Sequence, residues 1–218
     1  MSLSNYLEAK LLNSILRNTS YAAGATIYLG LFTSAPGEDG SGIEVGGGSY
    51  ARQALASAFP AATADSVANS SNITFPTASA AWGTVSHLAL FDGDNQKNFT
   101  NSNINTSTDA ITITSHGFTT ADAVSISRPN ATGTFPTGIT EGSAYYARSI
   151  DANTISLHPT AADATGNTNK IDITAAGSGT FYVNKGNMLW SGSLTSSKSI
   201  GNGDTFQIDA GNLTCALD

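Results

Sequence analysis

The alternation of apolar and polar positions is clearest in the stretch Trp82-Gly-Thr-Val-Ser-His-Leu-Ala-Leu-Phe-Asp-Gly93. From Thr84 to Phe91, one face of an extended chain carries Val85, His87, Ala89 and Phe91. The other face carries Thr84, Ser86, Leu88 and Leu90, because successive side chains of a strand point to opposite sides. The second half is apolar on both faces, which predicts a strand in the middle of a sheet, and Asp92-Gly93 predicts a turn. The natural partner, Met188-Leu-Trp-Ser-Gly192, arrives far later in the chain. Joining Asn95 directly to Gly186 gives Leu-Phe-Asp-Gly-Asp-Asn-Gly-Asn-Met-Leu-Trp, which reads as a hairpin. The chain is therefore expected to hold a discontinuous β domain, residues 1–95 and 186–218. A small β module, residues 96–185, is inserted at the hairpin tip, where insertions are best tolerated.

Residues 2–17 show the period of a helix, with Leu3, Leu7, Leu11 and Ile15 on one stripe and Tyr6 and Leu12 beside it. Asn5 and Glu8 have the spacing of a capping box at its start. The stripe must be covered, either by the chain's own sheet or by a neighbouring subunit, so these six residues are a candidate subunit interface. Ile27 to Thr33 predicts a central strand, and Asn72 to Pro76 a short one. Within the insert, strands are expected at Ala110–Thr114, Ala123–Ser127, Ala144–Ile150, Thr154–His158, Ile171–Thr174 and Thr180–Val183. This spacing suggests a small barrel or sandwich. After it come Met188–Ser193, Thr205–Asp209 and Leu213–Leu217. The expected fold is mainly β: an antiparallel sandwich or barrel with one N-terminal α-helix, plus an inserted small all-β domain.

Composition narrows the function classes. Only 11% of the 218 residues are charged, against about a quarter in ordinary globular chains; Ser, Thr, Asn and Gly fill the surface positions, as suits a protein held in an assembly. A net charge of −7 with singly scattered Lys and Arg offers no patch to neutralise phosphates, so no nucleic-acid partner is expected. No apolar run approaches the length of a membrane span, so no membrane insertion is expected. Met-Ser-Leu-Ser-Asn at the start has no basic region ahead of an apolar run, and no secretory signal is expected. The one cysteine, Cys215, alternates in phase with Leu213 and Leu217 and predicts a buried thiol.

The candidate chemistry is sparse. His87, His116 and His158 stand in separate segments without metal-ligand spacing. Gly46-Gly-Gly48 lacks the Gly-Lys-Ser/Thr ending of a phosphate cradle. Asp92-Gly-Asp94 opens like a calcium loop but lacks its central Gly and closing Glu. No nucleophile elbow is present. No catalytic, cofactor-binding or metal-binding residue is expected, and no enzyme activity.

Five blocks in order, Ser2-Leu-Ser-Asn-Tyr-Leu-Glu-Ala-Lys-Leu-Leu12, Ile27-Tyr-Leu-Gly-Leu-Phe-Thr-Ser-Ala-Pro36, Gly47-Gly-Ser-Tyr-Ala-Arg-Gln53, Trp82 to Asp92, and Leu189-Trp-Ser-Gly-Ser-Leu194, resemble a family of tailed-bacteriophage virion proteins. These are usually labelled phage tail or tail-fibre proteins. The resemblance covers residues 1–95 and 186–218, and the usual form of the family lacks the insert. The insert, through Ile111-Thr-Ile-Thr-Ser-His-Gly-Phe118 and Gly138 to Tyr146, resembles small β modules of phage structural proteins. The resemblance implies a non-enzymatic, tail-associated virion protein (tail fibre or adaptor), assembled in the host cytoplasm with other virion proteins and copies of itself, its insert projecting as a surface module. Two alternatives stay open: a capsid decoration (cement) protein, and a host-receptor module binding surface glycan. For the latter, Tyr145, Tyr146, Phe135 and Phe181 are the candidate stacking rings, although core packing is the default for strand aromatics.

Overall fold

A computed structural model describes residues 2–55, 58–94, 96–129 and 132–217. Asn95, where the sequence places the outgoing joint, lies outside the described residues. The architecture is mainly β and antiparallel, built from a five-stranded and a seven-stranded sheet with two short two-stranded ribbons.

The organising strand is observed as β6, Gly83–Phe91. It runs between β14, Met188–Ile200, and β2, Tyr28–Phe32. The edges of this sheet are β1, Ser2–Leu3, on β14 and β3, Gln53–Ala54, on β2. One face packs into a core around Leu29, Leu31, Trp82, Leu88, Leu90 and Leu189. Over that core lie two ribbons. In one, β5 (Ile73–Thr74) pairs with β15 (Gln207–Ile208); in the other, β4 (Ser66–Ala68) pairs with β16 (Thr214–Ala216). The opposite face carries Phe32, Ala89, Phe91 and Met188. Strict alternation fails at one residue: Val85 joins Leu88 and Leu90 in the main core and does not face with His87 and Ala89. The cause lies in the ladder with β14, whose register shifts between the pairs His87–Ser193 and Val85–Lys198, so the phase of the strand changes there. Cys215 and Leu213 are buried as expected, but Leu217, one residue past β16, is exposed.

Helix α1 spans Asn5–Arg17. Its N-cap is Ser4, whose hydroxyl accepts the Leu7 N–H, so the expected Asn5–Glu8 box is not the cap. The reason is that residues 2 and 3 are drawn into the sheet: Leu3 pairs with Trp190, and the Ser4 N–H donates to the Leu189 carbonyl. Leu3 of the predicted helical stripe is therefore a strand residue.

The strands between 96 and 185 form the seven-stranded sheet. Its order is β7 (Gln96–Thr100), β13 (Thr180–Lys185), β10 (Asp122–Ser127), β11 (Ala144–Asp151), β12 (Thr154–His158), β9 (Ala110–Thr112) and β8 (Ile104–Asn105). The two outermost strands, β7 and β8, are joined by the single 3-10 turn Asn101–Asn103, so the sheet curls back on itself as a nearly closed barrel. Its interior is a separate cluster that includes Phe99, Ile126, Ile155, Leu157 and Phe181. Several features depart from the sequence reading, which placed no strand at β7 or β8. Residues 171–174 make no strand: Ile171, Ile173 and Thr174 instead donate singly to the Leu157 carbonyl, the Asp109 carboxylate and the Thr137 carbonyl. A short helix α2, Ala161–Gly166, follows β12, capped by the Thr160 hydroxyl.

Candidate functional site

The place where the two sheets meet is built from a few polar residues. Chain leaves the five-stranded sheet after Phe91 and returns at Met188, which are paired across β6 and β14. The ladder resumes beyond the junction as β7 and β13, with Gln96 opposite Asn184. Between them, Asn187 donates its backbone N–H (2.7 Å) and its Nδ2 (2.8 Å) to the two oxygens of the Asp92 carboxylate. The segment that opens like a calcium loop is thus a hairpin clasp.

Beneath it lies a buried ion pair. Arg52 Nε and Nη2 each donate to Glu44, to Oε1 and Oε2 respectively, both at 2.7 Å, and both side chains are almost wholly buried. Arg52 Nη1 donates onward to the carbonyls of Gly93 (2.5 Å) and Lys185 (2.7 Å), one on each crossing chain. The guanidinium lies over the Phe91 ring, 3.6 Å from its centroid. Burial works against its charge, but the facing Glu44 more than offsets this and raises its pKa. The Tyr50 hydroxyl donates to Glu44 Oε1 and accepts the Leu31 N–H; burial first, and the Glu44 charge second, hold it well above its ordinary range. Every strong partner in this network is satisfied, as a buried pair requires.

The glycine run is explained here too. A Cβ on Gly46 would stand 2.7 Å from the Tyr182 ring, and one on Gly47 would stand 2.8 Å from its hydroxyl. The run lets a barrel side chain lie against the backbone of the other unit. The Gly42 N–H also donates to the Gly142 carbonyl, at 2.7 Å. The sequence placed the joint but not the Glu44–Arg52 pair beneath it, because a lone Glu and a lone Arg in a Gly-rich loop show no periodicity.

The candidate interface on α1 is divided by the fold. Leu7 is buried in the main core, and Leu3, Tyr6 and Leu11 pack partly against it. Leu12 and Ile15 are 58% and 78% exposed, and Leu16, which the stripe omitted, is 76% exposed. These three stand at i, i+3, i+4 spacing and form an apolar face with no partner within the subunit.

The remaining candidate groups serve the fold. His87 is half-buried and its Nδ1 lies 2.8 Å from the Ser86 hydroxyl. In His116, Nδ1 accepts the Phe118 N–H and Nε2 donates to the Asp151 carbonyl. In His158, Nδ1 donates to the Thr168 carbonyl and Nε2 accepts from the Ser156 hydroxyl. Burial raises the Cys215 thiol pKa, which disfavours a thiolate. Among the described residues no group of three His, Cys, Asp or Glu is placed to hold a metal ion, and no helix is long and apolar enough to cross a membrane. Of the four candidate stacking rings, Tyr145 and Phe181 belong to the barrel core, and Phe135 packs edge-on against Phe181. Tyr146 is half-buried.

Comparison with known proteins gives one family. Residues 2–116 and 118–216 match the family described as podophage GP4 fiber I protein gp80. The match runs through residues 96–185, whereas the resemblance read from the sequence was confined to the flanking parts. No curated protein matches the chain. The match spans nearly all of the chain, and the protein belongs to the podophage GP4 fiber I protein gp80 family of phage fibre proteins.

Proposed function

We propose that this chain is a non-enzymatic structural subunit of the tail fibre, in which residues 1–95 and 186–218 form an assembling base and residues 96–185 a module that projects from it. Family membership carries the fibre role. The junction supports the division of labour: hydrogen bonds from Arg52 Nη1 to the Lys185 carbonyl, from Gln96 Nε2 to the Val45 carbonyl and from the Gly42 N–H to the Gly142 carbonyl hold the module to the base, as a rod component under tension needs and a flexible tether does not. The groups that acid–base or nucleophilic catalysis would use are engaged elsewhere, with His116 and His158 bonded at both ring nitrogens and Cys215 buried.

The base meets a neighbouring virion subunit through the outer face of α1, with Leu12 and Ile15 of the predicted stripe joined by Leu16. Leu3, Tyr6, Leu7 and Leu11 hold the helix in place behind it. Large apolar side chains this exposed on one helix face are a recognised mark of an interaction surface. Separating purified particles into tails and emptied capsids tests the location. The chain is expected to remain with the tails; recovery with the capsid shell, in proportion to capsid subunits, would instead establish a decoration protein.

A further inference from the structure

Asn202 is the one asparagine of this chain that is followed by glycine. That pair is chemically weak, because no Cβ on the second residue shields the Asn side-chain amide from the backbone nitrogen that follows it. The two residues form the tip of the turn Gly201–Asp204, directly after β14, and both are exposed. Exposure alone would leave Asn202 open to spontaneous change. The turn holds that change back.

Four hydrogen bonds close the turn. The Asp204 N–H donates to the Gly201 carbonyl at 3.3 Å, and the Asp204 carboxylate accepts the Gly201 N–H at 2.8 Å. Ala78 fixes it from outside: its carbonyl accepts the Gly203 N–H at 2.7 Å, and its N–H donates to the Asp204 carbonyl at 2.8 Å. Gly203 has φ +90° and Asn202 is not among the residues of positive φ, which is the pattern of a type II turn. For an imide ring to close, the Gly203 nitrogen must lose its proton and swing over the Asn202 side chain. In the closed turn that nitrogen is committed to Ala78, and type II geometry directs it away from the side chain.

We propose that Asn202 is a latent modification site gated by this turn, and that opening the turn lets it convert irreversibly to aspartyl and isoaspartyl forms. In the opened turn the Gly203 nitrogen attacks Asn202 Cγ. A C–N bond forms, the Cγ–Nδ2 bond breaks, and Nδ2 leaves as ammonia with the proton given up by Gly203. Water then opens the five-membered imide. Attack at the side-chain carbonyl gives Asp, and attack at the backbone carbonyl gives an isoaspartyl link whose main chain is one carbon longer. Both products bring a second carboxylate beside that of Asp204, which disfavours closing the turn again. The isoaspartyl form also shifts Gly203 and Asp204 out of register with Ala78. The Trp82 N–H bonds the Ile200 carbonyl next to this turn, at 2.9 Å, so conversion loosens that end of the base.

Peptide mapping that separates the Asn, Asp and isoaspartyl forms of residue 202 tests this on the full chain at mildly alkaline pH. The folded wild type, the wild type unfolded in urea, and folded Asp204→Ala and Asp204→Asn are compared. In urea Asn202 is expected to convert before every other asparagine, and in the folded wild type far more slowly than in urea. Asp204→Ala removes the acceptor of the Gly201 N–H. It is expected to speed conversion roughly tenfold, the change in an opening equilibrium that follows loss of one hydrogen bond to a charged group. Asp204→Asn keeps an oxygen acceptor and should stay near the wild-type rate. Equal rates in the folded and unfolded wild type would overturn the gate, whatever the variants do. So would an Asp204→Ala chain, folded by circular dichroism, that converts no faster than the wild type. Another asparagine converting first in urea would overturn the choice of site.

Discussion

Asn187 and Asp92, far apart in the chain, are joined by two hydrogen bonds from one residue to one carboxylate, at 2.7 and 2.8 Å. The Asp92 N–H returns a third, 3.2 Å, to the Asn187 carbonyl. Together they close the end of the β6–β14 ladder. Replacing residues 96–185 by a two- to four-residue turn is therefore expected to leave a soluble, cooperatively melting β domain. Circular dichroism and a dispersed amide spectrum check it; a molten product would mean that the two units share a core.

The Glu44–Arg52 pair is almost wholly buried. Arg52→Ala leaves Glu44 buried without its partner and strips two carbonyls of their donor. Breaking such a pair costs roughly 3–5 kcal/mol, so denaturant midpoints should fall sharply. Replacing both partners by apolar residues, Glu44→Leu with Arg52→Met, should recover much of that loss while loosening the junction. Amide exchange at residues 93–97 and 183–187 would report the loosening.

The α1 residues divide into two groups with opposite readouts. Leu7→Ala removes a fully buried side chain, at a cost of about 2–5 kcal/mol, and should lower the melting temperature without changing subunit mass. Leu12→Asp should do the reverse. An early-melting Leu12→Asp with unaltered sedimentation would place the whole stripe inside the subunit.

Two carboxylates give a defined acid response. Asp39 is held below its ordinary 3.8 chiefly by the Ser41 hydroxyl, and Asp163 below 3.8 chiefly by Thr160, with Thr168 and Asn169 adding to it. Both are depressed in the folded state, so the stability they supply is complete above pH 3.8 and is lost as the pH falls below it. The α2 turn and the loop at residues 37–42 should lose amide protection first in that window. Asp163→Asn should abolish the acid sensitivity of α2, which protection measured along a pH series would show.

Much of the fold was legible in the sequence because period-two patterning is local. β6, β2, β12 and the start of β14 follow directly from it. What stayed hidden depended on partners distant in the chain. Leu3 has helical spacing, yet a free sheet edge at Trp190 recruits it. Ile173 is buried like a strand residue, but its N–H is claimed by the Asp109 carboxylate. Arg52 acquires its role only when Gly93 and Lys185 are brought side by side. Of the candidate interface, periodicity found the stripe; only packing showed that Leu12, Ile15 and Leu16 form its outer face.

The most direct measurement is the position of this chain in a cryo-EM reconstruction of the particle. The account predicts the chain in the tail, with the outer face of α1 against a neighbouring subunit and the barrel of residues 96–185 pointing outward. Density for the chain in the capsid shell, or a barrel enclosed by tail proteins with α1 left facing solvent, would contradict it.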